Sequence, residues 1–149
     1  MKQDNPAKIF LRRYITICGR VDALQRAIDE AMARAVNTGV TLKEIKVLNS
    51  PAEHDPMARD VCNAIDACEI LYIEKAKAAE ALREILAAID SLKDERQREV
   101  LTLRYINGES YPNIAQKMSY SEPAVYVIHG RGLMNINLWL TKQSKQISA

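Results

Sequence analysis

The chain has 149 residues, of which 48% are hydrophobic and 27% charged, a composition typical of one globular domain or of two small modules. Aromatic residues make up only 5%, and there are five glycines and five prolines. A β-sandwich or β-barrel needs many turns and many β-branched or aromatic residues. The composition therefore argues against both and favours long helices.

The charge is nearly balanced along the chain. Residues 1–93 carry 14 basic and 14 acidic side chains, whereas residues 94–149 carry 7 and 5, so the formal net charge of +2 lies in the C-terminal part. This mild surplus permits an anionic partner but is far from the pattern of an avid nucleic-acid binder.

No sequence feature predicts a membrane span, a signal peptide, a metal site or a cofactor site. The three cysteines, Cys18, Cys62 and Cys68, are odd in number and have no CxxC spacing, which is typical of reduced thiols. We expect a cytoplasmic protein without metal, cofactor or membrane contact. Because no motif supplies a nucleophile with a nearby base, we do not expect an enzyme.

Two apolar stripes predict two long helices in the first 93 residues. Asn5-Pro6 and Asp55-Pro56 are typical helix starts, and Gly39 is a typical stop. Both stripes alternate spacings of four and three residues, as in heptads. The first consists of Phe10, Tyr14, Ile17, Val21, Leu24, Ile28, Ala31 and Ala35. The second, broken only by Lys75, consists of Met57, Val61, Ala64, Cys68, Leu71, Lys75, Ala78, Leu82, Ile85, Ile89 and Leu92.

Residues 40–55 are predicted to be a connector that lets the two helices return antiparallel. Residues 1–93 are thus predicted to form a coiled-coil-like helical hairpin for oligomerisation or interaction. Two interpretations remain open: a plain intramolecular hairpin, or a coiled coil that makes the protein a homodimer. Two helices alone bury little surface, so we expect a third partner, either the C-terminal module or a second chain.

Residues 94–149 are predicted to form a domain of three helices. The first covers Asp94–Asn107 and is stopped by Gly108, and serines at positions 110 and 121 cap the second and third. Ala115 supplies the small residue needed where two helices cross, and Val125 and Ile128 supply apolar contacts ten and thirteen residues later. This is the spacing of a helix-turn-helix. Ser119 stands where glycine is common in the turn, which is tolerable if its backbone stays in an ordinary conformation.

The run from Glu95 to Leu133, ERQREVLTLRYINGESYPNIAQKMSYSEPAVYVIHGRGL, resembles region 4 of bacterial RNA polymerase sigma factors. The stretch YSEPAVYVIHGRGL, which follows the predicted helical hairpin, also resembles small phage-encoded regulators of the ArpU and RinA type, which join such a domain to a helical N-terminal half. The positions that match region 4 are Glu95, Arg96, Gln97, Arg98, Glu99, Val100, Leu101, Leu103, Arg104, Tyr105, Gly108, Ser110, Ile114, Ala115, Ser121, Val125, His129 and Arg131.

The resemblance implies a transcription regulator that binds double-stranded promoter DNA, with RNA polymerase as a possible second partner. The third helix would enter the major groove. The candidate contacts on it are Ser121, Glu122, Pro123, Ala124, Tyr126, Val127, Gly130 and Arg131, with Lys117 on the second helix. A stand-alone sigma factor is not expected, because residues 1–93 contain no aromatic cluster of the region 2 kind.

The candidate residues differ in role. Ser121 and the helix N-terminus suit a phosphate, Glu122 could accept from a cytosine amino group, and Lys117 and Arg131 could anchor the backbone. Relatives usually carry Arg, Lys or Gln at several positions where this chain has Pro123 or uncharged residues. We therefore expect weak, salt-sensitive binding, because the phosphate contacts dominate affinity.

Several alternatives stay open for single residues. Arg131 suits either a phosphate contact or an intramolecular salt bridge. Arg98, Glu99 and Arg104 are expected to be solvated surface charges rather than DNA contacts. His129 is expected to be a packed or a surface histidine rather than a metal ligand, and packing roles are expected for Tyr105, Tyr120 and Trp139. The alternative for the whole protein is an interaction module that docks on polymerase or another protein and reads no bases.

Overall fold

The computed structural model describes residues 4–37 and 56–148, and within them every regular element is an α-helix. The five helices are α1 (Pro6–Asn37), α2 (Pro56–Asp90), α3 (Glu95–Tyr105), α4 (Tyr111–Met118) and α5 (Glu122–Ile147). The prediction of an all-α fold with a C-terminal trihelical part is confirmed. The predictions for Gly39, for the connector 40–55, for Asp55 and for the side chain of Met57 fall outside the described residues.

The chain divides into two compact units. One, here called the terminal unit, contains residues 1–16 and 78–149, and the other, the hairpin unit, contains residues 17–77. Helices α1 and α2 therefore contribute to both units. The boundary between residues 93 and 94 remains a prediction from sequence.

In the hairpin unit, α1 and α2 run antiparallel. Arg20 Nε lies 3.6 Å from Glu74 Oε2 and Arg34 Nε lies 3.9 Å from Asp60 Oδ2, so later residues of α1 meet earlier residues of α2. The apolar residues buried in this unit are Ile17, Ile28, Val61, Ala64 and Leu71.

The predicted stripe is wrong at one point of α2. Cys68 and Lys75 are exposed, whereas Glu74 is buried and pairs with Arg20 and Lys77. The break predicted at Lys75 is confirmed, and Glu74 takes the buried position there, because a straight α-helix drifts about 20° per heptad away from a strict seven-residue repeat.

In the terminal unit, the ends of the two long helices pack against the trihelical part. One buried core joins residues of α1, α2, α3 and α5: Ala7, Leu11, Ile85, Ala88, Ile89, Leu92, Leu101, Tyr105, Leu133 and Ile136. The C-terminal module thus buries apolar residues of both N-terminal helices. Trp139 packs against this core as predicted, with its ring centroid 6.1 Å from that of Phe10.

The start of α1 is capped by its own sequence and by α5. Asn5 Oδ1 accepts from the backbone N–H of Ala7 at 3.0 Å, and Asn137 Oδ1 accepts from the same N–H at 2.8 Å. Asn137 Nδ2 donates to Asn5 Oδ1 at 2.8 Å. The predicted Asn5 cap is confirmed, and the contact fixes the first turn of α1 on α5 because it satisfies an N–H that the helix itself leaves unpaired.

Over the residues described, no helix is both long enough and apolar enough to cross a membrane.

Candidate nucleic-acid interface

Side-chain caps define the starts of the three C-terminal helices. Asp94 accepts from the backbone N–H of Arg96, Ser110 from that of Asn113, and Ser121 from that of Ala124. Pro112 and Pro123 lie in first turns, where the missing N–H would have had no helical partner. These starts are confirmed as predicted because they depend on residues only two or three positions apart.

The turn between α4 and α5 has an unexpected backbone. Ser119 has φ 57° and ψ 39°, the left-handed conformation that usually selects glycine. Its N–H donates to the carbonyl of Gln116 at 3.3 Å, and the N–H of Tyr120 donates to that of Ala115 at 3.0 Å. This is a Schellman motif. The condition under which serine would be tolerable at this position is therefore not met, because satisfying the last carbonyls of α4 requires a positive φ there.

A small apolar core locks α4 against α5. Val100, Ile114, Ala115 and Val125 are buried together, and they are flanked by Leu103, Tyr111, Met118 and Ile128. The predicted contact between the small residue and the apolar residue ten positions later is confirmed. Because this core contacts one side of α5 through Val125, the opposite side of the helix faces solvent.

Helix α5 also approaches α3 closely. A Cβ added to Gly132 would lie 3.2 Å from Leu101 Cδ1, which is closer than an ordinary van der Waals contact. Glycine is therefore the residue that fits here without displacing Leu101. Three residues further on, Asn135 Nδ2 donates to Oε1 of the buried Gln97 at 2.8 Å. The role of Gly132 was not predicted, because nothing in its local sequence pattern identifies a partner 31 positions earlier.

The predicted DNA contacts on α5 form one surface, here called the recognition face: Ser121, Glu122, Pro123, Ala124, Tyr126, Val127, Gly130 and Arg131. Ala124 and Gly130 are half-buried, and the others are exposed. Tyr126 is 50% and Val127 53% exposed, so two large side chains project outward. Arg131 makes no ion pair with any residue in the described ranges, which removes support for the salt-bridge alternative.

Lys117 lies on α4 and is already paired. Its ammonium contacts Oε1 of Glu109, and this hydrogen bond holds the pKa of Glu109 below its usual value. A phosphate would have to compete with a carboxylate for Lys117. Among the predicted contacts, Arg131 is therefore the cation most available to DNA.

Tyr126 of the recognition face belongs to a stack of side chains that also contains Tyr111 and Arg104. The ring centroids of Tyr111 and Tyr126 are 4.5 Å apart, and the guanidinium carbon of Arg104 lies 4.5 Å from the centroid of Tyr111. Arg104 Nη1 also donates to the carbonyl of Glu109 at 2.9 Å. Arg104 was expected to be a solvated charge. Instead it is half-buried, because the ring and the carbonyl hold it in place.

His129 packs below this stack. Its Nε2 lies 2.9 Å from the hydroxyl of Tyr105 and 3.4 Å from that of Tyr111. Burial lowers the pKa of His129 to about 4, with further contributions from the charges of Lys8 and Arg104. Burial likewise raises the pKa of Tyr105 to about 12. The packing role predicted for Tyr105 is confirmed, and of the two positions left open for His129 the structure shows the packed one.

Two other expectations are wrong. Tyr120 is 40% exposed and belongs to no buried core, because the left-handed turn before it directs the chain outward. Arg98 is half-buried and donates from Nη1 to the carbonyl of Leu92 at 2.7 Å. It joins the end of α2 to α3 instead of lying free in solvent.

Comparison with known families identifies this region. Residues 82–136 match the family model described as Sigma-70, region 4. The match covers the end of α2, all of α3 and α4, and the first half of α5, so this segment is a sigma region 4-like helix-turn-helix. Searches of curated proteins and of solved structures returned no significant match. In the described ranges, no three His, Cys, Asp or Glu side chains converge as a metal site would require.

Proposed function

We propose that this protein is a DNA-binding transcription regulator that reads promoter DNA with the recognition face of α5. The observation that carries the proposal is the exposure of this face on a helix whose opposite side is locked by Ala115 and Val125. The N-terminal residues of such a helix can approach base edges in the major groove. The match to region 4 supports the same interpretation.

The proposed contacts divide by chemistry. Arg131 binds a phosphate, and the hydroxyl of Ser121 together with the backbone N–H of Glu122 binds another, because Pro123 has no N–H and that of Ala124 already donates to Ser121. Tyr126 contacts a phosphate or a thymine methyl group, and Glu122 accepts from a cytosine amino group. Because Glu122 is negative and Lys117 is paired, the phosphate attraction is small and binding is weak and salt-sensitive.

Fluorescence anisotropy with labelled duplexes tests the proposal. The probes are the DNA segments upstream of the protein's own gene and of its neighbours, titrated at about 50 and about 200 mM salt. Tyr126→Ala and Arg131→Ala are expected to lose binding while keeping the helical circular dichroism of the wild type. Arg83→Ala is the matched control, because Arg83 is an exposed arginine on α2 that lies outside the face. Unchanged DNA binding by both face variants would contradict the proposal.

A second candidate function is a protein-interaction module that docks on RNA polymerase. One observation favours it: Val127, Met134 and Leu138 are 53%, 67% and 61% exposed and lie seven and four residues apart on α5. Such an apolar row suits a protein partner better than DNA. Footprinting with and without RNA polymerase separates the two functions, since a module of this kind protects DNA only when polymerase is present.

We further propose that the protein is a cytoplasmic homodimer of phage or prophage origin without catalytic activity. The dimer is supported by α2, where Ile65, Tyr72 and Ile73 are 44%, 78% and 53% exposed in the hairpin unit. Phage origin rests on the resemblance to ArpU- and RinA-type regulators, and cytoplasmic location on the odd number of cysteines. Light scattering across a range of protein concentrations measures the oligomeric state directly.

A further inference from the structure

An open groove lies in the terminal unit, next to the helix-turn-helix but outside the recognition face. Its lining comes from α1, from α3 and from the loop after α3: Arg12, Ile15, Thr16, Arg104, Tyr105 and Gly108. Two of these residues are arginines and none is a carboxylate. The residues from α1 lie outside the segment that matches region 4, so the groove depends on this chain's own N-terminal helix.

The positive charges around the groove have no acidic partner. Neither Lys8 nor Arg12 forms an ion pair with any residue in the described part of the chain, whereas Arg13, the next residue, pairs with Glu84 at 2.8 Å. The charges of Arg12 and Arg104 both act on Tyr105, and those of Lys8 and Arg104 on His129. Three cations thus act on the buried pair Tyr105 and His129, and an anion near them would be stabilised.

The donors in the groove suit a phosphate. Thr16 Oγ1 donates to the carbonyl of Arg12 at 3.0 Å, so its hydroxyl proton is already used. The guanidinium of Arg12 is exposed, and that of Arg104 uses Nη1 for the carbonyl of Glu109. Each guanidinium has five N–H donors, so several remain for the oxygens of a phosphate.

One side chain, Tyr111, lies between the groove and the recognition face. Arg104, which lines the groove, stacks on Tyr111 at 4.5 Å, and Tyr111 contacts Tyr126 of the face at 4.5 Å between ring centroids. A DNA backbone that passes the start of α5 is therefore close to Arg104. Continuity with the face favours a nucleic-acid phosphate over an acidic protein segment.

We infer that this groove binds a phosphate of the DNA backbone beside the bases read by α5, with Arg12 as the main donor and Arg104 in support. The inference rests on the proposed function. In the described residues, the recognition face has one cation, Arg131, and so supplies few phosphate contacts. We assign a further phosphate contact to α1.

The test compares Arg12→Gln with Arg83→Gln, which removes the same charge from an exposed arginine on α2. A labelled duplex of random sequence and the upstream DNA are both titrated between about 50 and about 200 mM salt, because phosphate contacts carry no sequence information. For Arg12→Gln, the slope of log affinity against log salt is expected to become shallower by about 0.9. A fourfold rise in salt then costs this variant about 3.5-fold less affinity than it costs the wild type. Arg83→Gln is expected to retain the wild-type slope.

Two further measurements make the result unambiguous. Arg12→Lys keeps the charge and is expected to restore most of the slope, and thermal unfolding monitors the fold of each variant. If Arg12→Gln keeps the wild-type slope, the groove does not bind DNA, and an acidic protein partner becomes the better occupant. Failure of the proposed function looks different, because the wild type itself would then not bind either duplex at any salt concentration.

Discussion

His129 makes the stability of the protein depend on pH. Its pKa in the folded protein is lowered from 6.5 to about 4, chiefly by burial. The neutral ring therefore contributes its full stability above pH 6.5. As the pH falls from 6.5 towards 4, the unfolded chain takes up the proton first, and that stability is lost. Between pH 6.5 and 5 the expected loss is about 2 kcal/mol of unfolding free energy.

The variant His129→Gln isolates this effect. Glutamine cannot titrate but can still hydrogen-bond to the Tyr105 hydroxyl, so the variant is expected to lose about 2 kcal/mol less than the wild type over the same pH range. Urea unfolding at pH 6.5 and pH 5 measures both proteins. Because the carboxylates are common to both, their titration cancels in the difference. Equal pH dependence of the two proteins would mean that His129 is protonated in the fold as readily as in the unfolded chain.

At the scale of the element, the two glycines of α5 differ in the space around them: Gly130 has room for a side chain and Gly132 does not. A Cβ at Gly130 would meet nothing within 4 Å, whereas a Cβ at Gly132 would lie 3.2 Å from Leu101, which is fully buried. Gly130→Ala is expected to stabilise the fold by about 0.5–1 kcal/mol, since alanine favours the helix. Gly132→Ala gains the same propensity but must displace Leu101, so it is expected to be less stable than Gly130→Ala.

A larger side chain sharpens this comparison. Gly132→Val is expected to cost about 1–3 kcal/mol, because extra volume in a packed contact forces neighbouring side chains out of their preferred positions. Urea unfolding of the three variants gives the free energies. If Gly132→Ala and Gly130→Ala stabilise equally, α5 and α3 are not in close contact at Leu101.

At the scale of the whole molecule, the sequence predicts what is local and fails where the contact is distant. The serine caps and the contact between Ala115 and Val125 span three to ten residues, and both were predicted. The backbone of Ser119 was not, since a left-handed serine depends on the carbonyls that its turn must satisfy.

Long-range contacts left no signal in the sequence. The side chain of Asn137 accepts a hydrogen bond from Ala7, 130 positions earlier in the chain. Arg12 and Arg104, which line the same groove, are 92 positions apart. No periodicity or motif predicts which turn of α1 meets α5, because that choice depends on the packing of several helices at once. The candidate contacts on α5 were predicted from the resemblance to region 4, whereas the proposed contribution of α1 required the fold.

The core of the terminal unit implies that the helix-turn-helix does not fold without the N-terminal helices. Leu11, Ile85, Ile89 and Leu92 are almost completely buried there, and they would be missing from a fragment of residues 94–149. Burying four such side chains contributes about 6–12 kcal/mol, which is comparable to the whole stability of a domain at about 5–15 kcal/mol. The fragment is therefore expected to lose cooperative thermal unfolding and much of its helical circular dichroism.

A point variant in the full chain tests the same contact without truncation. Leu11→Ala is expected to cost about 2–5 kcal/mol, because it leaves a cavity between α1 and the core. Leu138→Ala, at a leucine that is 61% exposed, is the control and should change stability by less than about 0.5 kcal/mol. A fragment of residues 94–149 that unfolds cooperatively near the temperature of the full chain would show that α1 and α2 are dispensable. It would also support the domain boundary predicted from sequence.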